Sequence, residues 1–196
     1  TATTEIYTLS LHDALSDLEA IALSAPNRTS LSYQALRSHC DKIGRQLASQ
    51  GLTNSDRVAI VLPNGPEMAS AFLAVASYMS AAPLNPTYKQ SEYAFYLEDL
   101  KPGLVIVEEN STNPVRAAAA DLSIPVVEAK VHSGSPAGSF ELFQSEAEIH
   151  PSTLDHEALV LHTSGTTSGP KVVPLLQRNI LASTRNISAS LELKAT

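Results

Sequence analysis

The chain has no tryptophan, one cysteine, two methionines and four phenylalanines in 196 residues, and aromatic residues make up 5% of it. With Cys40 alone, no disulfide within the chain can form, which excludes the stapled frameworks of small secreted domains and fits a reducing, intracellular compartment. Charged residues are also scarce at 17%, against 43% hydrophobic residues, so a disordered, highly charged tail is excluded and a real core is expected. The net charge of −7 argues against nucleic acid as a partner. No apolar run approaches the ~18 residues that a transmembrane helix needs. The polar start Thr1-Ala2-Thr3-Thr4-Glu5 lacks the apolar segment of a secretory leader, and the end Leu193-Lys194-Ala195-Thr196 is not a peroxisomal S-K-L address.

What is present is a regular alternation. Apolar residues at 11, 14, 15, 18, 21 and 22 predict an amphipathic helix over Leu11–Ser24, and Thr29–Ser32 reads as a short strand. Tyr33–Ser49 is a second amphipathic helix with Gly51 as a stop just beyond it. Val58–Leu62, Ala81–Leu84, Leu104–Glu108 and Pro125–Val127 read as strands. Between them, helices are expected over Glu67–Met79, with Pro66 at the start, from a Ser91 cap to Leu100, and over Pro114–Ala120. Gly134–Ser145 is a Gly, Ser and Pro-rich loop, and Asn179–Leu191 a final helix. Strands alternating with helices define an α/β class with much parallel pairing. No internal repeat is visible.

The richest segment is Leu161-His162-Thr163-Ser164-Gly165-Thr166-Thr167-Ser168-Gly169-Pro170-Lys171. Thr163, Ser164, Thr166, Thr167 and Ser168 carry hydroxyls. Gly165 and Gly169 let the main chain come close to a ligand. Successive N–H groups then converge on an anion, and Lys171 supplies a charge for phosphate oxygens. Such clusters are usually plain solvated loops. Here the apolar run Ala158–Leu161 leads straight in and Val172-Val173 leads straight out, so the loop is expected between two short strands at the end of a sheet, with Pro174 then interrupting the chain. It is not the G-x-x-x-x-G-K-[ST] loop of NTPases. Three residues separate Gly165 from Gly169, Pro170 precedes Lys171, and Val172 replaces the magnesium-binding hydroxyl. No G-x-G-x-x-G dinucleotide fingerprint occurs.

Thr163–Lys171 resembles the phosphate loop of the AMP-forming adenylating enzymes, the superfamily of acyl-CoA synthetases, peptide-synthetase adenylation domains and luciferases. Their usual T-S-G-T-T-G-x-P-K-G-V stands here as T-S-G-T-T-S-G-P-K-V-V, with Ser168 and Val172 in place of glycines. The likeness extends to Leu31–Leu36, to Val58–Asn64 with Glu67 and Phe72-Leu73-Ala74, and to Ala82–Tyr88 with Glu92, Phe95-Tyr96-Leu97 and Asp99-Leu100. It covers about Leu9 to Leu191. Within the superfamily the chain is most similar to the peroxisomal oxalate–CoA ligases of fungi and plants, through L-H-T-S-G-T-T-S-x-P-K, the V-P-L after it and A-P-L-N-x-x-Y.

The resemblance implies an ATP-dependent carboxylic acid–CoA ligase that forms acyl-AMP and then acyl-CoA. Oxalate is the preferred acid, with a medium-chain fatty or aryl acid as alternative. A non-catalytic nucleotide-binding or interaction domain is the alternative function. ATP, Mg²⁺ and coenzyme A are the implied co-substrates. The expected ATP-phosphate contacts are Thr163, Ser164, Gly165, Thr166, Thr167, Ser168, Gly169, Pro170 and Lys171. The family's aromatic-G-x-T-E and T-G-D segments, its hinge and its lysine-bearing C-terminal domain are not found in this sequence. Residues 1–196 therefore read as an N-terminal portion of the large adenylation domain, with mixed sheets flanked by helices, no catalytic residue of its own and no activity alone. The remainder of its own chain is its expected partner. The implied setting is intracellular, peroxisomal or cytoplasmic, with no membrane span.

Other candidates favour packing. His12, His39, His132, His150, His156 and His162 show no metal-ligand spacing. For His162, beside the loop, orienting that loop and plain packing stand as equal readings. Cys40 reads as core rather than nucleophile, and Tyr88, Tyr93 and Tyr96 as core rather than a stacking platform.

Overall fold

A computed structural model describes residues 18–163 and 170–192. Two short strands come first, β1 (Ile21–Leu23) and β2 (Leu31–Ser32), paired antiparallel. Next are α1 (Tyr33–Ala48), β3 (Arg57–Val61), α2 (Pro66–Tyr78), β4 (Ser80–Pro83), α3 (Gln90–Leu100) and β5 (Leu104–Glu108). The chain continues with α4 (Val115–Asp121), β6 (Val126–Ala129), β7 (Glu157–Thr163), β8 (Lys171–Leu176) and α5 (Gln177–Ser190). The main sheet has the order β6-β5-β3-β4-β7-β8. It is parallel throughout except for β8, which runs antiparallel to β7 at the edge.

Side-chain alternation divides this sheet between two apolar layers. Val58, Ile60, Leu104 and Ile106 face α1 and α2 in one core. Ala59, Val61, Val105 and Val107 face α3 and α4 in the other. Both faces are covered, which is why β3 and β5 read as unbroken apolar runs. Fully buried Leu and Ile side chains such as Leu47, Ile60, Leu97 and Ile106 contribute ~1.5–3 kcal/mol each, so these layers hold the frame on which the loops ride. Cys40 is buried in the α1 layer, and burial, with Asp41 beside it, pushes its thiol up to about 12. That is packing chemistry, not a nucleophile's.

Local signals explain most boundaries. Ser32 caps α1 through Oγ, which accepts from Ala35 N at 3.3 Å. Gly51, at φ 85°, turns the chain out after α1. Pro66 opens α2.

Three expectations are corrected. Ile21–Leu23, predicted as the end of a helix over Leu11–Ser24, forms β1; Leu23 pairs with Leu31, and tertiary pairing overrides helical spacing in so short a stretch. Residues 11–17 lie outside the described residues. The cap of α3 is Lys89, two residues before Ser91; Glu92 Oε2 accepts from Lys89 N at 2.9 Å and satisfies the helix start instead. Pro174 does not interrupt the chain but sits within β8 opposite Val160, on an edge strand where a missing N–H costs least. The Gly134–Ser145 segment is a loop, as its composition predicts, and a well-packed one. Its Ala137, Phe140 and Leu142 are buried, and Glu141 forms an isolated bridge with Lys130. Polar side chains of the neighbouring layer pin its backbone: Arg28 donates to Pro136 O at 2.8 Å, Ser70 Oγ to Gly138 O at 2.6 Å, and Gln46 Oε1 accepts from Leu142 N at 3.0 Å.

Candidate functional site at the carboxyl edge of the sheet

Because β3, β4, β5, β6 and β7 are parallel, their C-terminal ends share one edge of the sheet. The helices after β3 and β4 lie on opposite faces, α2 with one core and α3 with the other. A crevice at such a switch in winding is where open α/β sheets take ligands. Thr163, where the segment predicted to hold phosphate begins, ends β7 at this edge.

The strand expectations around that segment hold. β7 and β8 form an antiparallel hairpin in which Thr163 pairs with Lys171 and His162 with Val172. Thr163 is exposed as the last residue of β7, and Lys171 is exposed as the first residue of β8. Pro170 is half-buried and leads directly into β8. Ser164, Gly165, Thr166, Thr167, Ser168 and Gly169 lie outside the described residues. The hairpin thus brings a hydroxyl and an ammonium group together at the base of the segment. Lys171 has no ion-pair partner among the described residues. A solvated cation with no carboxylate beside it is suited to an anionic ligand.

The neighbouring loop, after β4, is held rigidly. Asn85 Oδ1 accepts from Thr87 N at 3.0 Å and from Thr87 Oγ1 at 2.9 Å. Tyr93 Oη donates to Asn85 O, and Asn113 Nδ2 donates to Pro86 O, each at 2.8 Å. Tyr93 is fully buried, as a core role requires. Tyr88 stacks on Tyr96 at 5.0 Å between ring centroids, and Tyr96 meets the edge of His162 at 4.7 Å. His162 Nε2 donates to Asp99 Oδ2 at 3.0 Å. Sequence reasoning missed Asp99 and Tyr96 as partners of His162. Their spacing of three places both on one face of α3, but nothing in the sequence says that β7 lies opposite that face.

The other end of the sheet is different. A cleft of ≈ 450 Å³ there is lined by Arg57, Lys101, Asp155 and Glu157 among others. Its guanidinium is already engaged: Arg57 Nε and Nη2 donate to Glu157 at 2.7 and 3.0 Å, and Nη1 donates to Leu100 O at 3.3 Å. Burial pushes the Glu157 carboxyl up, yet the Arg57 fork holds it below the usual carboxylate range. This ion pair ties β3, β7 and α3 together and leaves no guanidinium free for an anion.

Among the described residues no cluster of His, Cys, Asp or Glu is arranged to hold a metal ion. No helix among the described residues is long and apolar enough to cross a membrane.

The largely parallel sheet, covered by helices on both faces, with the β7–β8 hairpin at its edge, defines an open α/β domain. The profile of the AMP-binding enzyme family matches residues 12–195, and the chain belongs to that family. It is 37% identical over 178 residues to the oxalate–CoA ligase of Arabidopsis thaliana, covering 86% of this chain and 34% of that protein. It is 34% identical over 165 residues to the oxalate–CoA ligase of Saccharomyces cerevisiae, covering 70% of this chain and 30% of that protein. The chain thus spans about a third of the length of these curated relatives. In fold it matches apo MatB of Rhodopseudomonas palustris with a TM-score of 0.78 at 20% identity, over 94% of this chain and 37% of that one. The ATP-bound structure of the same protein gives a TM-score of 0.74 at 24% identity, over 93% and 37%.

Proposed function

We propose that the protein carrying this chain is an AMP-forming carboxylic acid–CoA ligase with oxalate as its acid. Residues 1–196 would form the N-terminal part of its large adenylation domain. A carboxylate oxygen attacks the α-phosphorus of ATP; the bond to the pyrophosphate oxygen breaks, giving acyl-AMP and pyrophosphate. The CoA sulfur then attacks the acyl carbon, and AMP and a proton leave. Mg²⁺ enters with ATP as part of the substrate. The compartment read with this function is peroxisomal or cytoplasmic.

The observation that carries the reading is the β7–β8 hairpin, which sets Thr163 and the exposed Lys171 side by side at the carboxyl edge of a parallel sheet. In this reading these residues face the β- and γ-phosphates, with Ser164 to Gly169 supplying hydroxyl and main-chain donors between them and Pro170 shaping the exit into β8. Fixed donors aimed at the charge that develops on departing pyrophosphate are the largest catalytic effect available to such a segment. The likeness to two oxalate–CoA ligases supports oxalate over other acids.

The test is AMP and thioester formation by the full-length protein with ATP, CoA and a panel of acids. Oxalate should exceed medium-chain fatty and aryl acids in kcat/KM by at least roughly tenfold, the discrimination that one or two polar pocket contacts supply. Preference for a fatty or aryl acid would overturn the oxalate assignment and leave the ligase. Nucleotide binding with no AMP formed from any acid would instead indicate a non-catalytic nucleotide-binding domain.

A further inference from the structure

His162 is the last residue of β7 before the Thr163–Lys171 pair, and it is held from a direction that has nothing to do with the hairpin. Its side chain is 7% exposed, while that of its partner Asp99 is 42% exposed. The two are sixty-three residues apart in sequence, on different elements, and meet at 3.0 Å. The imidazole also rests edge-on against Tyr96, and Tyr96 lies flat on Tyr88, with 14° between the ring planes. Tyr88 belongs to the rigid loop after β4, and Tyr96 and Asp99 to α3. A continuous stack therefore runs from the loop after β4, across α3, to the base of the hairpin.

β8 is the edge strand, joined to the sheet only through β7. Most residues of α5, which follows it, are exposed. β7 itself meets β4 through a single registered pair, Ala81 with Leu159, four residues before Thr163. The carboxyl end of β7 thus extends beyond its registered pairing with β4 and is paired there with the edge strand β8. The His162–Asp99 bond and the Tyr96 contact tie it to α3.

We propose that His162 is a positioning residue: through Asp99 and Tyr96 it sets Thr163 and Lys171 against the rest of the carboxyl edge, and so sets the affinity for the polyphosphate of the nucleotide. It does not touch the ligand. The proposal rests on the nucleotide-binding reading of the hairpin.

The experiment compares ATP binding by calorimetry, and KM for ATP and for the acid, in the full-length protein and its His162→Phe, His162→Gln, Asp99→Asn and His162→Phe/Asp99→Asn variants. Phe keeps the ring on Tyr96 and removes the bond, and Gln restores an N–H donor. His162→Phe should weaken ATP binding roughly tenfold, the scale of one hydrogen bond to a charged group, with KM for the acid unchanged. Gln should recover much of the loss, and the double variant should bind no worse than the weaker single one, because both substitutions break one bond. Should His162→Phe fail to fold, Asp99→Asn alone decides, its partly exposed side chain making it the milder change. Wild-type affinity in the folded variants, losses that multiply in the double variant, or an equal rise in KM for ATP and acid would each overturn the proposal. A wild-type protein that binds no ATP would overturn the nucleotide-binding reading and this proposal with it, and the wild-type titration separates that outcome from the others.

Discussion

Acidification should destabilise this fold well before its carboxylates protonate, because His39 is buried as a neutral ring. It lies in the α1 layer with its edge against Phe140 at 4.8 Å, and its Nε2 is buried with no hydrogen-bond partner among the described residues. Burial, and secondarily the Lys42 charge, lower its pKa from 6.5 to about 4, with Glu67 opposing. The unfolded chain binds a proton near pH 6.5 and the folded chain does not until about pH 4. Stability is therefore fully present above pH 6.5 and is lost as pH falls towards 4. The full loss amounts to ~3 kcal/mol, of which about 2 kcal/mol falls between pH 7 and 5. Lys42 holds the Glu141 carboxyl low, and Glu157 is low as well. Both add acid sensitivity of the same sign, but mainly below about pH 5, beneath the unfolded carboxylate values. Urea denaturation at pH 7, 6 and 5 thus isolates the histidine. The wild type should lose about 2 kcal/mol across that range, and His39→Leu should lose less than half of it. Equal pH slopes in the two proteins would refute the assignment.

Two further outcomes are expected. A methyl group added at Gly44 would lie 2.5 Å from Tyr78 Cδ2 and 2.8 Å from Cγ, and that ring is fixed by its hydroxyl donating to Asp41 at 2.5 Å. Overpacking of ~1–3 kcal/mol against a helix-propensity gain of ~1 kcal/mol leaves Gly44→Ala destabilised by up to about 2 kcal/mol, read as a lower denaturation midpoint; a higher midpoint would show that the ring yields freely. Lys171→Ala should weaken ATP binding by the full-length protein roughly tenfold or more, with the thermal midpoint unchanged because the side chain is exposed. Unaltered nucleotide affinity would remove Lys171 from the site.

The limits of sequence reasoning follow from what each segment has to satisfy. Leu104–Glu108 was legible because Leu104–Val107, buried on both faces of the sheet, form an unbroken apolar run that ends at the exposed Glu108. The helix over Tyr33–Ala48 was legible, expected to end one residue later at Ser49, because its apolar stripe has one period and Gly51 marks a stop beyond it. Ile21–Leu23 was not, since a three-residue apolar stretch satisfies helix and strand alike and its partner Leu31 decided the matter. The burial of Ala137, Phe140 and Leu142 was hidden by the glycines, serines and prolines around them.

For the candidate site the division is similar. Residue chemistry alone raised the expectation that Thr163–Lys171 holds phosphate, and determined that its two apolar flanks would be strands. Those properties are local, written in hydroxyls, glycines, a lysine and strand-forming neighbours. Only the tertiary structure decided that the flanks pair with each other, that they close the carboxyl edge of a parallel sheet, and that His162 reaches Asp99 on α3. Those are contacts between elements far apart in sequence, made where two apolar layers had to be covered at once, and no local pattern encodes which faces will meet.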